Sequence, residues 1–166
     1  EYLRRALTHA APLAAPKDLA WVLASYARDA RYRLERHELP ALATVRNALE
    51  EALGIAFEDA KGEHFFRSTL VQTLFYGVFS AWVLWAKDPA NQSPTARFDW
   101  RLAAWLLRVP MVRALFEQIV TPSRLTPLNL VEVLDWTNTA LNRVDRGAFF
   151  ARFAEDHAVQ YFYEPF

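Results

Sequence analysis

Four residues near the middle of the chain are of the types that bind metal ions: Glu58, Asp59, Glu63 and His64. Carboxylate oxygens and imidazole nitrogens are ordinary metal ligands. The same cluster also fits a polar turn that leads into a helix, where Glu63 lies near the positive N-terminal end. We favour the turn and predict no metal site. The chain has no cysteine, which excludes thiolate ligands and disulfides.

Nucleophilic and phosphate-binding motifs are absent from the sequence. There is no G-x-S-x-G turn, and the four glycines are too scattered to form a phosphate-cradling loop. The sequence therefore predicts no catalytic and no cofactor-binding residue in this chain.

Arginines form two groups that could contact the phosphates of DNA. One group lies on a predicted helix and the other near the C-terminal end: Arg28, Arg31, Arg33 and Arg36, then Arg143, Arg146 and Arg152. In the first group Asp29 and Glu35 interleave with the arginines, which favours a solvated, salt-bridged face. The 19 basic and 19 acidic residues give a net charge of zero, so we expect no strong autonomous DNA binding. The candidate DNA-backbone contacts are Arg28, Arg31, Arg143, Arg146 and Arg152.

Five tryptophans could stack on a base or a ligand, although packing in a core is the more common role of such residues. They are Trp82, Trp85, Trp100, Trp105 and Trp136. We predict that they pack in the core.

The elements that position these residues are predicted to be helices. Four glycines are few for a fold with many hairpins, and nine prolines fit breaks between helices. The apolar spacing predicts an all-α, irregular bundle of about seven to nine helices, forming one domain over residues 1–166 with a weak internal boundary at 87–98. Gly54 is placed for a left-handed helix end, and Thr126 with Pro127 predicts a helix start.

The segment 65–86 is apolar on every face, which is typical of a helix surrounded by protein or by lipid. It is nearly long enough to span a bilayer, but Arg67, Gln72 and Ser80 interrupt it. We therefore predict a central buried helix and no membrane insertion. An amide inside such a helix needs buried partners, so Gln72 is predicted to bond a neighbouring backbone.

Two motifs give the sequence a family resemblance. Residues 72–77 read QTLFYG, and this segment, with Gln72, Tyr76 and Gly77, resembles the "QT-x-x-YG" segment ahead of the methyltransferase domain in single-chain type IIG and type ISP restriction-modification enzymes. The last eight residues, VQYFYEPF, look like the "FYE-x-F" stretch of the same enzymes. Residues 2–33 resemble the helices that follow the family's nuclease.

The resemblance implies a non-catalytic helical connector between an N-terminal nuclease and an N6-adenine methyltransferase, which would be its partners in a cytoplasmic parent chain. That parent would use S-adenosylmethionine and Mg²⁺ and would bind DNA, whereas no cofactor is expected in the connector. The chain begins with Glu1 and ends at Phe166 within an apparent helical run, so we expect it to be a fragment. Two alternatives stay open: a helical module that binds DNA phosphates or a protein partner, and an independent small helical enzyme or membrane protein.

Overall fold

A computed structural model describes residues 12–36 and 40–153 of the chain. In these ranges the fold is all-α, as predicted, with no strand and only one isolated β-bridge. The eight α-helices are α1 (Pro16–Glu35), α2 (Pro40–Leu53), α3 (Asp59–Lys87), α4 (Ala103–Leu106), α5 (Pro110–Ile119), α6 (Pro122–Leu125), α7 (Leu130–Leu141) and α8 (Arg146–Arg152). Two short 3-10 turns, Pro89–Asn91 and Trp100–Leu102, join α3 to α4. The helix predicted at residues 2–10 and the terminal motif at 159–166 lie outside the described residues.

Proline sets the start of many of these helices. Pro16, Pro40, Pro110 and Pro122 each occupy the first position of a helix. Proline suits this position because its fixed φ is helical and its missing N–H would have no partner in the first turn. The prediction that prolines mark the breaks between helices is therefore largely confirmed.

The 29-residue helix α3 is the hub of the fold. It packs against α1, α4 and α5, and its buried side chains include Leu70, Phe75 and Trp82. By length and apolarity alone it could also cross a membrane, but 56% of its most apolar stretch is buried inside the fold. This burial is typical of the core helix of a globular domain, so the prediction of a central buried helix is confirmed.

Two further pairings close the core around α3. Helix α1 packs along α7, and α2 packs along α5. At one end, the backbone N–H of Leu13 donates to the carbonyl of Arg143 at 3.2 Å, and Asp145 N–H donates to the carbonyl of Leu13 at 3.0 Å. These bonds form the parallel bridge between Leu13 and Val144. They fasten the chain ahead of α1 to the turn between α7 and α8.

Two helix ends test the turn predictions. Gly54 has φ +67° directly after α2, as predicted for a left-handed helix end.

The helix start predicted at Thr126 and Pro127 is wrong, because α7 begins at Leu130 after a turn in which Asn129 has φ 54°. The turn places Leu128 fully in the core. It also presents the Asn129 carbonyl to Arg33, which donates to it at 2.8 Å. Tertiary contacts therefore outweigh the local helix-start signal.

Candidate functional site

The QTLFYG residues of the family resemblance lie on α3, but they face different surroundings. Gly77 is buried against α5, where a Cβ would overlap the ring of Phe116. Tyr76 is half-buried and packs against the edge of the core. Gln72 is exposed, so the prediction that its amide is buried and bonds a neighbouring backbone is wrong. Phe65, seven residues earlier and on the same side of the helix, is 55% exposed, which shows that the first half of α3 has one open face.

Three of the four metal candidates, Asp59, Glu63 and His64, are engaged in other interactions. The Asp59 carboxylate accepts from the backbone N–H groups of Lys61 and Gly62 at 2.8 and 2.9 Å, which caps the start of α3. Ring nitrogens of His64 lie 3.1 and 3.2 Å from Nη2 of Arg31. Among the described residues, no group of three or more His, Asp or Glu side chains is arranged to hold a metal ion. The arrangement is that of the polar turn favoured from the sequence.

Glu63 joins three elements through two arginines. Its carboxylate lies 2.7 Å from Nη2 of Arg67 and 3.2 Å from Nη2 of Arg46 on α2. Arg67 also donates to the carbonyl of Leu34 near the end of α1, and Arg46 donates to the carbonyl of Phe57 at 3.0 Å. The hydrogen bond from Arg67 and the charges of both arginines outweigh burial and lower the pKa of Glu63. This cluster ties α1, α2 and the start of α3 together.

Arg33 is the centre of the contact between α1 and α7. Its guanidinium lies 2.8 Å from Asp29 and 2.8 Å from Glu132 on α7. It also lies 5.0 Å from the ring centroid of Trp136. Burial acts to lower the pKa of Arg33, but the hydrogen bond to Glu132 and the charge of Asp29 raise it above the ordinary value. A groove of about 820 Å³ lies beside Arg33, and its lining includes the paired carboxylates Asp29 and Glu132 as well as Tyr32 and Arg36.

Not all of the arginines predicted to contact DNA are available for it. Arg31 pairs with Glu35 at 3.3 Å. Arg146 donates to the carbonyls of Asn91 and Ser93 at 2.6 and 3.0 Å, so it holds the loop after α3. The other three differ in burial: Arg143 is partly buried, and Arg28 and Arg152 are exposed. Arg28 and Arg31 lie on α1, Arg143 directly follows α7, and Arg146 and Arg152 lie on α8.

Sequence reasoning missed a set of polar side chains on α7 that hold the segment ahead of α4. Asn142 accepts from the Phe98 N–H and donates to the Phe98 carbonyl, both at 2.8 Å. One turn earlier, Asn138 accepts from the Trp100 N–H at 2.9 Å. Asp135 accepts from the Trp100 indole at 2.7 Å. The spacing 135, 138, 142 puts these side chains on one face of α7, which is a signal that could have been found.

The predicted burial of tryptophan holds for part of the set. Trp82 and Trp100 are at most 1% exposed. Trp105 and Trp136 are 73% and 37% exposed, so the prediction is wrong for these two. Leu102 and Val109, on either side of Trp105 in the chain, are 57% and 58% exposed. The guanidinium of Arg113 lies 5.4 Å from the Trp105 ring centroid. Leu102, Trp105 and Val109 are thus three exposed apolar side chains within eight residues, which we call the exposed ridge. Clusters of exposed apolar side chains mark contact surfaces in many proteins.

Comparison with protein-family models, with curated proteins and with solved structures finds no match to this chain.

Proposed function

We propose that this chain is a non-catalytic helical coupler of a single-chain restriction-modification enzyme, placed between a nuclease and an N6-adenine methyltransferase domain. The observation that carries the proposal is the position of the family-like segment. The QTLFYG residues lie on α3, the helix against which α1, α4 and α5 pack. Within this segment Gly77 permits the closest approach between α3 and α5. The packing of this domain would thus depend on the QTLFYG segment, which is the segment that resembles the family.

The mechanical role follows from the length and the packing of α3. A helix of 29 residues spans about 43 Å and moves as a rigid rod when its sides are packed. A displacement at one end is therefore transmitted to the other end, which a flexible linker would not do. The exposed ridge of Leu102, Trp105 and Val109 would dock against a flanking domain, and its burial there would stabilise the joint.

The chemistry of the parent would reside in the flanking domains. S-adenosylmethionine would bind to the methyltransferase and Mg²⁺ to the nuclease, in a cytoplasmic enzyme that acts on DNA. The coupler would hold the nuclease and the methyltransferase at a fixed spacing and would supply no reacting group.

A second candidate is a helical module that binds DNA phosphates or a protein partner through its arginines. The exposed Arg28 and Arg152 favour it. The measurement that separates the two is the salt dependence of DNA binding by this chain, since phosphate contacts weaken steeply as salt increases.

The coupler proposal is tested on the full-length gene product. We expect it to transfer methyl groups from S-adenosylmethionine to plasmid DNA, with N6-methyladenine detected by mass spectrometry. Trp105→Glu would place a charge in the docking ridge and would reduce DNA cleavage while leaving methyl transfer unchanged. Asn47→Glu, a charge on an exposed position of α2, is the matched control and should change neither activity. A product that transfers no methyl group to DNA would overturn the proposal.

A further inference from the structure

Helix α8 contacts one side of α3 through large side chains and runs in the opposite direction to it. Three contacts join the two, measured between ring centroids or from the guanidinium carbon to a centroid: Arg146 with Trp85 at 5.2 Å, Phe150 with Trp82 at 5.7 Å, and Phe153 with Phe79 at 5.9 Å. As residue numbers rise along α8, those of their partners fall along α3. Phe153 is the residue that follows α8, so the chain arrives there heading towards the first half of α3.

The side of α3 that Phe153 contacts is open nearer the start of the helix. Lys61, Phe65 and Gln72 lie within about 40° of Phe79 around the helix axis. Phe79 is 5% exposed, whereas Phe65 is 55% exposed, and Lys61 and Gln72 are also exposed. Covering the Phe65 ring would release water from apolar surface, which is favourable. We call Lys61, Phe65 and Gln72 the open face of α3.

The chain that follows Phe153 is long enough to cover this face. Residues 154–166 read AEDHAVQYFYEPF and lie outside the described residues, and four of the thirteen are aromatic. Along the helix axis, Gln72 lies about 10 Å and Phe65 about 21 Å from Phe79. Thirteen residues span about 20 Å as a helix and up to about 45 Å when extended. The segment therefore reaches Phe65 in either conformation.

We propose that residues 154–166 dock along the open face of α3, with aromatic side chains of this segment covering Phe65. The chain already lies on that side of α3 at Phe153, so the segment closes only a short loop, and a short loop costs little entropy. The two segments that resemble the family, residues 72–77 and 159–166, would then lie beside each other. In the proposed coupler this contact would join α3 to the segment that leads towards the methyltransferase, but the docking itself does not depend on that role.

The other segment of this chain that could cover the open face is residues 1–11, and the fold favours residues 154–166 over it. The backbone of Leu13 is bonded to Arg143 and Asp145, ahead of the first turn of α8. The first residue of α8, Arg146, lies beside Trp85 near the C-terminal end of α3. Residues 1–11 therefore join the fold at the end of α8 that is farther from the open face, whereas residues 154–166 leave it at the nearer end.

The proposal is tested by cross-linking, since the chain has no cysteine of its own. Continuing the antiparallel contacts by seven residues on each side places Gln160 opposite Gln72. The double variant Gln72→Cys, Gln160→Cys is treated with a flexible bismaleimide, and the internally linked product is measured by mass spectrometry. Ser25→Cys, Gln160→Cys is the matched control, because Ser25 is exposed on α1. We expect the Gln72 pair to link about tenfold faster than the control, since docking raises the effective concentration of the second thiol.

A second measurement needs no assumption about which residues face each other. The thiol of Gln72→Cys should react with a bulky maleimide about tenfold faster in a chain that ends at Phe153 than in the full chain, because docking is lost. The thiol of Ser25→Cys should react equally fast in both, and circular dichroism melting shows whether each chain is folded. The cross-link in the full chain decides the matter if the shortened chain does not fold.

Equal cross-linking of the two cysteine pairs would overturn the proposal. It is also overturned if the Gln72→Cys thiol of the full chain reacts as fast as that of Ser25→Cys, since the face would then be open to a separate partner. Protection that is lost on removal of residues 1–11, and kept on removal of residues 154–166, would assign the face to the N-terminal segment instead. These results concern contacts within this chain and are separate from methyl transfer by the full-length product.

Discussion

The ring of Phe116 on α5 lies against the backbone of Gly77 on α3, in space that a Cβ would otherwise occupy. Phe116 is fully buried there, so the ring cannot swing out into solvent. The glycine costs helix stability in isolation. Its effect in the fold is to allow α3 and α5 to approach more closely than any other residue would permit.

Gly77→Ala is therefore expected to destabilise the fold even though alanine is the better helix former. Forcing a methyl group into a filled site costs about 1–3 kcal/mol. The free energy of unfolding, measured by urea denaturation, should fall by an amount in this range. Combining Gly77→Ala with Phe116→Leu should cost less than the sum of the two single changes.

Gly147→Ala is the control for this prediction. The closest atom to a Cβ at Gly147 is Oδ1 of Asp145 at 3.6 Å, an ordinary contact. This substitution should leave stability unchanged or raise it slightly. Equal stability of Gly77→Ala and the wild type would show that Phe116 can move aside.

Glu63 should make stability depend on acid pH. Its folded-state pKa is lowered by Arg67 and Arg46, so ionised Glu63 contributes stability above its ordinary pKa of 4.5. That contribution is lost as pH falls from 4.5 through the folded-state pKa. Glu63→Gln should lower the free energy of unfolding at pH 7 by about 1–2 kcal/mol, and the difference should shrink as the pH falls through the folded-state pKa.

The exposed pair of Arg113 and Glu117, 2.8 Å apart, supplies the comparison. Glu117→Gln should change stability by a few tenths of a kcal/mol at most, at neutral and at acid pH, because solvent screens this pair. A difference between Glu63→Gln and the wild type that does not shrink below pH 4.5 would contradict the assignment.

Asn142 is predicted to be the most important polar side chain of α7. Both of its amide hydrogen bonds go to the backbone of Phe98, which is 2% exposed. Asn142→Ala would leave a buried N–H and a buried carbonyl without a partner, at a cost of about 1–3 kcal/mol each. Thermal unfolding should show the loss, and the Phe98 amide should exchange its hydrogen faster. Asn47→Ala, on an exposed part of α2, should change neither measurement.

The sequence predicts those parts of this fold that depend on local chemistry. The proline helix starts and the left-handed Gly54 follow from backbone constraints that act within a few residues. The all-helical class and the hub position of α3 follow from composition and from an apolar run too long for a strand. These features can be predicted without knowing which elements pack together.

The features that the sequence did not predict depend on which neighbour covers which face. Gln72 is exposed because no described helix covers that side of the first half of α3, and an apolar run does not indicate which side stays open. The turn at 126–129 is set by Arg33, which comes from a distant part of the chain. The arginines likewise look alike in the sequence, and only packing separates those with internal partners from those on the surface.

Arg146 and Arg36 illustrate that last distinction, and we expect only the substitution of Arg146 to lower stability. Arg146 donates to two loop carbonyls, and its guanidinium lies 5.2 Å from the ring centroid of Trp85. Arg146→Gln should therefore lower the free energy of unfolding by about 1–3 kcal/mol, because hydrogen bonds from a charged group are lost.

Arg36 is exposed at the end of α1, and its guanidinium lies 5.1 Å from the ring centroid of Tyr32. Arg36→Gln should leave the unfolding midpoint within error of the wild type. Urea denaturation of both variants beside the wild type measures the two effects. If Arg146→Gln left the free energy of unfolding unchanged, the contacts to Asn91 and Ser93 would not stabilise the fold, and Arg146 would remain a candidate phosphate contact.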